Sequence, residues 1–215
     1  MSSVSSSRGD AGEVAAAAGD KAERSLVVGV LALQGGFEAH ERMLSGLGAE
    51  TREVRVPGDL DGLDGLVIPG GESTTMTLGV EREGLAEPLR EFARGGRPVL
   101  GSCAGLIMLD REHLGLMDVT TRRNAFGRQI ASFEADLDVA GLDGGPLRAI
   151  FIRAPWIAEH GPGVEILASV DGHPVAAREG DRIGVAFHAE LGADPRLHRW
   201  FLEIVARSQA RPIAG

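Results

Sequence analysis

The sequence predicts an α/β protein with a mostly parallel central sheet and an antiparallel β segment in its second half. Short, continuous apolar runs alternate with segments whose apolar residues recur at helical spacing, which is typical of strand–helix–strand units with both sheet faces covered. From Val119 to Val139 the chain becomes polar and β-like, and the helical spacing fades. The length of 215 residues, with 43% hydrophobic and 25% charged residues, fits one globular domain with a sizeable core.

The domain is predicted to span residues 25–209. Residues 1–24 are rich in Ser, Ala, Gly and charged residues and hold little apolar surface, so we predict a disordered N-terminal extension. Residues 210–215 form a short C-terminal tail.

The first half of the domain contains four predicted strands, each ending in small or polar residues. Helical spacing follows the first strand, where Phe37, His40 and Leu44 share one face, and recurs before the fourth strand around Leu89. The second half holds more short strands and a final helix with Asp194 as the expected N-cap. The predicted strands cover residues 26–33, 52–56, 63–68, 97–102, 149–152, 164–170, 175–178 and 182–188.

Composition excludes several function classes. A net charge of −9 and a pI near 5.2 argue against a nucleic-acid or anionic-membrane surface. The single cysteine cannot form an intramolecular disulfide, and no apolar run approaches the roughly 18 residues of a membrane span. The N-terminus lacks a basic segment followed by an apolar stretch, so we expect a cytoplasmic protein.

The only cysteine, Cys103, lies between two glycines at the junction of a predicted strand and helix. Gly101-Ser102-Cys103-Ala104-Gly105 is the thiol counterpart of the Gly-x-Ser-x-Gly nucleophile elbow, in which small neighbours allow a tight turn that exposes the nucleophile. The alternative is a buried structural cysteine, since free cysteines are among the most buried residues. The motif alone leaves both open.

A cysteine nucleophile requires a base, and the base requires an acceptor that orients it. His188 and Glu190 follow the strand 182–188 and should lie at the same sheet edge as Cys103. An extended His-x-Glu would separate the two residues by about 7 Å, so the chain must bend there for them to interact. The other five histidines have no neighbouring carboxylate at a strand end.

At this point the motifs resemble a known family. From about Val28 to Val205 the chain resembles the class I glutamine amidotransferases, and within them the glutaminase subunits of pyridoxal 5′-phosphate synthase. The cysteine and His-x-Glu motifs indicate only the broad class, whereas Gly-Gly-Glu-Ser-Thr and Arg-Asn-x-Phe-Gly-Arg-Gln indicate the narrower family. The matching segments are residues 29–35, 69–75, 101–105, 123–129, 151–155 and 187–191.

The resemblance implies a flavodoxin-like three-layer sandwich and a glutaminase that releases ammonia through a cysteine thioester. It implies a catalytic triad of Cys103, His188 and Glu190, and an oxyanion hole formed by the backbone N–H groups of Gly71 and Ala104. The positions that it implies for glutamine binding are Gly70, Gly71, Glu72, Arg123, Ile152 and Arg153. Which of the two arginines contacts the substrate directly stays open.

The resemblance also implies a partner, because 215 residues leave no room for a synthase domain. That partner is a barrel-shaped synthase subunit in a hetero-oligomeric complex, with pyridoxal 5′-phosphate as the product of the pathway. It implies no cofactor and no metal for this chain. The alternatives are a glutaminase serving another synthase, such as the one that makes imidazole glycerol phosphate, and a non-catalytic member of the same fold.

Three positions depart from the family pattern. Ala189 replaces a usual proline, Ser102 replaces a common threonine, and the segment from Leu109 to Met117 is shorter than usual. The first two fit the turns in which they lie. The shortening should alter a loop before Arg123.

Overall fold

The computed structural model describes residues 24–123 and 132–211, and within them a seven-stranded sheet forms the centre of the molecule. Strand order is β2-β1-β3-β4-β11-β10-β9. The strands of this sheet are β1 (Val27–Leu31), β2 (Glu50–Val54), β3 (Gly65–Ile68), β4 (Val99–Ser102), β9 (Glu165–Val170), β10 (His173–Glu179) and β11 (Arg182–Val185).

Five of the seven strands run parallel, in the order β2-β1-β3-β4-β11, while β10 and β9 add an antiparallel edge. This order, in which the first connections run to one side and the later ones to the other, is that of flavodoxin-like folds. β1, β3 and β4 are buried at every residue because they lie inside the sheet with both faces covered, which explains their unbroken apolar sequences. The predicted parallel α/β architecture is therefore confirmed.

Five α-helices accompany the strands in the described part of the chain. They are α1 (Phe37–Gly46), α2 (Ser73–Arg82), α3 (Ala86–Arg94), α4 (Ala104–Leu109) and α5 (Arg196–Gln209). Each contains buried residues, and α4 is buried throughout; in α5, Phe201 and Val205 pack at Gly65 of β3, where a Cβ would lie 2.7 Å from Val205. None of these helices is long and apolar enough to cross a bilayer.

The antiparallel segment consists of two two-stranded sheets. β5 (Val119–Arg122) pairs with β8 (Trp156–His160), and β6 (Ser132–Leu137) pairs with β7 (Leu147–Ile152). This agrees with the predicted change to β structure in the middle of the chain. Residues 124–131, which carry most of the Arg-Asn-x-Phe-Gly-Arg-Gln motif, lie outside the described residues.

Several element boundaries differ from the prediction. The last parallel strand ends at Val185 and not at residue 188, because the chain turns there. Helix α2 was not predicted, since its sequence Ser-Thr-Thr-Met-Thr shows little helical periodicity. Pro195, and not Asp194, is the N-cap of α5, although the Asp194 carboxylate still accepts a hydrogen bond from the Arg196 backbone N–H at 3.0 Å.

The domain limits stay a prediction, because most of the predicted N-terminal extension and C-terminal tail lies outside the described region. Residues 1–23 and 212–215 lie outside it. Arg24 donates a 2.6 Å hydrogen bond to Asp64, whose second oxygen accepts one from the Val27 backbone N–H at 2.8 Å. Helix α5 ends at Gln209.

Candidate active site

Cys103 occupies a strained turn between β4 and α4. Its backbone lies at φ 51° and ψ −105°, a region that non-glycine residues seldom adopt and that is concentrated at functional sites. The flanking glycines are required by close packing: a Cβ at Gly101 would lie 2.6 Å from the Gly105 carbonyl oxygen, and one at Gly105 would lie 2.0 Å from that of Ile68. The motif therefore forms the predicted elbow.

Three parallel strands deliver their carboxyl ends to this turn. β4 pairs in register with β11, where Val185 lies opposite Ser102 and accepts a 2.8 Å hydrogen bond from the Cys103 backbone N–H. β3, on the other side, leads into Gly70, where a Cβ would lie 2.5 Å from the His188 ring and 3.3 Å from the Cys103 Cβ. Gly70 thus keeps space for the imidazole beside the thiol.

His188 and Glu190 meet because the chain bends after β11. The His188 Nδ1 lies 2.7 Å from the Glu190 Oε1, and the two side chains are 14% and 1% exposed. Burial alone lowers the pKa of His188, but hydrogen bonds with Cys103 and Glu190 outweigh it and raise that pKa to about 10. For Glu190 burial raises the pKa, while the hydrogen bond with His188 and the neighbouring His40 lower it well below its usual value. The pair is therefore an imidazolium held by a carboxylate, beside a thiol.

A cavity of about 280 Å³ opens directly beside Cys103 and His188. It contains both members of the predicted oxyanion hole and four of the predicted glutamine-binding residues besides Gly71. Of the predicted site residues, Gly70 and Glu190 do not line this cavity: Gly70 lies against the His188 ring and Cys103, and Glu190 contacts His188 Nδ1. The lining residues are Gly71, Glu72, Ser73, Cys103, Ala104, Ile107, Arg123, Ile152, Arg153, Pro155 and His188.

Glu72 has a structural role that the sequence did not reveal. It caps the N-terminus of α2, where its carboxylate accepts hydrogen bonds from the Thr75 hydroxyl and from the backbone N–H groups of Thr74 and Thr75, at 2.7 to 3.0 Å. These bonds, that of the Thr75 side chain foremost, lower the pKa of Glu72 to about 2. The Gln34 side chain holds the Glu72 peptide from the other side through two further hydrogen bonds of 2.9 and 3.1 Å.

Arg123 reaches the cavity from the end of β5 and is held by two side chains. Its guanidinium donates to the Thr74 hydroxyl at 3.2 Å and to His113 Nε2 at 3.2 Å. His113 Nδ1 lies 2.7 Å from a carboxylate oxygen of Asp110, which is 1% exposed. An ionised Asp110 accepts the Nδ1 proton and leaves Nε2 free to accept from Arg123.

Ile152 and Arg153 border the cavity at the end of β7. The Cys103 thiol lies 3.9 Å from the Ile152 carbonyl oxygen, and Arg153 has a φ of 44°. A second non-glycine residue with positive φ in the same cavity is a further sign of a functional site.

Sequence reasoning missed the residues behind Glu190. His40 of α1 places its Nε2 3.2 Å from the Glu190 Oε2, and its Nδ1 lies 2.9 Å from the His198 Nε2 of α5. Ser102, noted only as a departure from the family, places its hydroxyl 3.0 Å from the same Glu190 oxygen. The only available signal was that both histidines fall on the apolar faces of their helices. Among described residues no group of three His, Cys, Asp or Glu side chains is arranged to hold a metal ion.

Comparison with solved structures gives the same architecture. The chain superposes on a structure described as glutamine amidotransferase with a TM-score of 0.78 at 44% identity, covering 83% of this chain and 98% of that one. The PurLQS structure from Thermotoga maritima shares the fold, with a TM-score of 0.68 at 17% identity over 84% of this chain and 99% of that one.

Sequence comparison is more specific. The pyridoxal 5′-phosphate synthase subunit PdxT of Acidothermus cellulolyticus is 52% identical over 86% of this chain and 95% of its own length. The subunit of the same name from Mycobacteroides abscessus is 51% identical over 84% of this chain and 98% of its own. A family model described as SNO glutamine amidotransferase matches residues 30–207, and the chain therefore belongs to the SNO glutamine amidotransferase family.

Proposed function

We propose that this protein hydrolyses L-glutamine to L-glutamate and ammonia through a γ-glutamyl thioester on Cys103. The observation that carries the proposal is the meeting of Cys103, His188 and Glu190 at one sheet edge, beside a 280 Å³ cavity. A purely structural cysteine would not explain why Cys103 lies in a turn with positive φ, or why an imidazolium held by a buried carboxylate lies beside it.

The chemistry follows from the protonation state of the pair. The protonated His188 stabilises a thiolate at Cys103, which attacks the amide carbon of glutamine. His188 then gives its proton to the departing nitrogen, which leaves as ammonia, and the acyl group stays on sulfur. His188, now neutral, takes a proton from water as the water attacks the thioester, and glutamate and the thiol are released. Glu190 holds the imidazole in orientation throughout.

The substrate-binding roles rest on complementary charge. Glutamine carries an α-carboxylate, which suits the guanidinium of Arg123 or Arg153, and an α-ammonium, which suits Glu72 or the Ile152 carbonyl. Glu72 retains acceptor capacity beside its helix cap, because a carboxylate offers about four lone-pair directions. The backbone N–H groups of Gly71 and Ala104 form the oxyanion hole. In comparable sites a single such donor stabilises the transition state by about 3 kcal/mol.

The ammonia is the nitrogen source for a synthase that makes pyridoxal 5′-phosphate. The support is the identity of about half of all aligned residues with proteins named as subunits of pyridoxal 5′-phosphate synthase. The partner is a barrel-shaped synthase subunit, and pyridoxal 5′-phosphate is the product of the complex and not a cofactor of this chain. We assign the activity to the cytoplasm, where a reducing environment preserves a thiol nucleophile.

The test measures glutamate release from glutamine by this protein, with and without the synthase subunit, in wild type and in Cys103→Ala. We expect release that the synthase subunit stimulates and that Cys103→Ala abolishes. Undiminished release by Cys103→Ala would refute the thioester mechanism. Failure of the synthase subunit to bind or to stimulate wild type would refute the pathway assignment while leaving the glutaminase intact.

A further inference from the structure

Two histidines form a buried chain behind the carboxylate of Glu190. His40, on α1, and His198, on α5, are both 0% exposed, and their rings lie 5.1 Å apart at an angle of 50°. His198 Nε2 is 2.9 Å from His40 Nδ1, and His40 Nε2 is 3.2 Å from Glu190 Oε2, a close contact whose geometry is not that of a hydrogen bond. Side chains 158 residues apart in the sequence thus meet at the orienting member of the triad.

The hydrogens of this chain can be assigned from its chemistry. Among the described residues, His198 Nδ1 is buried without a hydrogen-bond partner. Burial foremost, and then the nearby His40, lower the pKa of His198 to about 3, so this ring is neutral at physiological pH. A neutral ring with its proton on Nδ1 would bury an unsatisfied donor, so the proton belongs on Nε2, which donates to His40 Nδ1.

The orientation of His40 then follows. With Nδ1 accepting from His198, His40 carries its proton on Nε2 and directs it toward the negatively charged oxygen of Glu190. The reverse arrangement would direct a nitrogen lone pair at a buried carboxylate, which is electrostatically unfavourable. The hydrogens of His198 and His40 therefore both point toward Glu190, whose carboxylate also receives the Nδ1 proton of His188 from the opposite side.

The Ser102 hydroxyl cannot by itself satisfy the Glu190 carboxylate oxygen that faces His40. Its hydroxyl lies 3.0 Å from the Glu190 Oε2 and also 3.0 Å from the Phe187 carbonyl oxygen, and one hydroxyl hydrogen can serve only one acceptor at a time. The carboxylate oxygen that faces away from His188 needs a second donor, since it is only 1% exposed and has little access to water.

We infer that His40 is a positioning residue of the active site, donating its Nε2 hydrogen to Glu190 so that the opposite carboxylate oxygen stays on His188, with His198 setting the tautomer of His40. This inference rests on the proposed glutaminase site. The 3.2 Å contact between His40 and Glu190 becomes an aligned hydrogen bond when the triad acts on substrate, since catalytic hydrogen bonds often tighten only then. Neither histidine lines the cavity beside Cys103, so the affinity for glutamine should not depend on them.

The test compares His40→Leu, which removes the donor, with His40→Gln, whose amide nitrogen reaches the position of Nε2. The first measurement is the rate of alkylation of Cys103 by iodoacetamide from pH 5 to 9. It needs neither glutamine nor the synthase subunit, so it can fail independently of the proposed function. We expect His40→Leu to slow alkylation below pH 7 about tenfold and His40→Gln to retain most of the wild-type rate.

The second measurement is steady-state glutaminase activity. A bond to a charged group in the triad should lower kcat by about ten- to hundredfold in His40→Leu, with KM for glutamine within about twofold of wild type. His198→Leu should give a smaller loss, since it acts on Glu190 only through the tautomer of His40.

Two controls separate positioning from packing. Leu44→Ala removes buried volume from the same helix face without touching Glu190, and His160→Leu makes the same substitution at an exposed histidine outside the site. Equal losses in His40→Leu and His40→Gln, a loss in Leu44→Ala as large as that in His40→Leu, or a wild-type alkylation profile in His40→Leu would each overturn the inference. Should His40→Leu fail to fold, His40→Asn, whose amide is too short to reach Glu190, replaces it and is judged by the same outcomes.

Discussion

Replacing Glu190 with glutamine should remove the orienting charge without changing the shape of the site. Three groups that can donate hydrogens surround this side chain: His188 Nδ1 at 2.7 Å, the Ser102 hydroxyl at 3.0 Å and His40 Nε2 at 3.2 Å. An amide offers one acceptor oxygen and one NH₂ donor, so in any orientation the NH₂ group faces at least one of these donors. If it faces His188, the imidazole must accept at Nδ1 and carry its proton on Nε2, where the base for Cys103 is needed.

The expected effect of Glu190→Gln has two parts, one on kcat and one on stability. The corresponding Asp→Asn change in a serine-protease triad lowers kcat about 10⁴-fold through the wrong tautomer, and we expect Glu190→Gln to cost at least about a hundredfold. The second part is stability. The pKa of His188 rises from 6.5 to about 10 on folding, so its contribution is complete below pH 6.5 and is lost as the pH rises toward 10. At about 1.4 kcal/mol per pH unit this is a few kcal/mol in wild type.

The lowered pKa of Glu190 acts in the opposite direction, contributing stability above pH 4.5 that is lost as the pH falls. Wild type should therefore be most stable, as far as this pair is concerned, between about pH 4.5 and 6.5. In Glu190→Gln the decline above pH 6.5 should be shallower, because the part of the raised pKa of His188 that comes from Glu190 is lost, whereas the part that comes from Cys103 remains.

The assay is urea unfolding at pH 6.5 and 9.5, together with glutaminase kcat in the presence of the synthase subunit. Glu203→Gln, which removes one charge from an exposed position of α5, is the matched control and should behave as wild type in both measurements. A decline in stability between the two pH values as steep as in wild type, or a loss in kcat smaller than tenfold, would refute this account of the triad.

Two further predictions follow from other parts of the site. Gly105→Ala should destabilise the protein by about 3 kcal/mol, because the new Cβ would lie 2.0 Å from a backbone carbonyl oxygen. Gly46→Ala, at the open end of α1, should be neutral or stabilising by up to about 1 kcal/mol. Urea unfolding midpoints measure both effects, and equal midpoints for the two variants would contradict the packing argument. His113→Leu should raise KM for glutamine about tenfold with little change in kcat, because it releases Arg123; a fall in kcat at unchanged KM would assign His113 a different role.

Much of the fold could be predicted because its signals are local. Apolar runs such as that of β1 are dictated by burial on both faces, and strand–helix alternation then limits the sheet to parallel, right-handed connections. Boundaries were less accurate where tertiary contacts decide them. Helix α2 depends on the cap supplied by Glu72, and β11 ends early because His188 and Glu190 must turn toward each other.

The residues of the site likewise fall into those with a local sequence signal and those identified only by tertiary contacts. Cys103, His188 and Glu190 could be selected from the sequence because a nucleophile elbow and a His-x-Glu pair each follow a predicted strand. His40 and His198 could not, since a histidine on an apolar helix face looks the same in sequence whether it fills the core or donates to a buried carboxylate. Only the packing of α1 and α5 decides between these two cases.

The sequence by itself determined the fold class and the family motifs, and it supplied the three residues of the proposed triad, because these depend on residue types at short spacings along the chain. The tertiary structure alone decided what supports them: that Glu72 caps a helix, that Asp110 and His113 hold Arg123, and that two distant histidines lie behind Glu190. The reason is physical. Hydrogen bonds across 49 or 158 residues depend on the relative placement of whole helices, which no local pattern encodes.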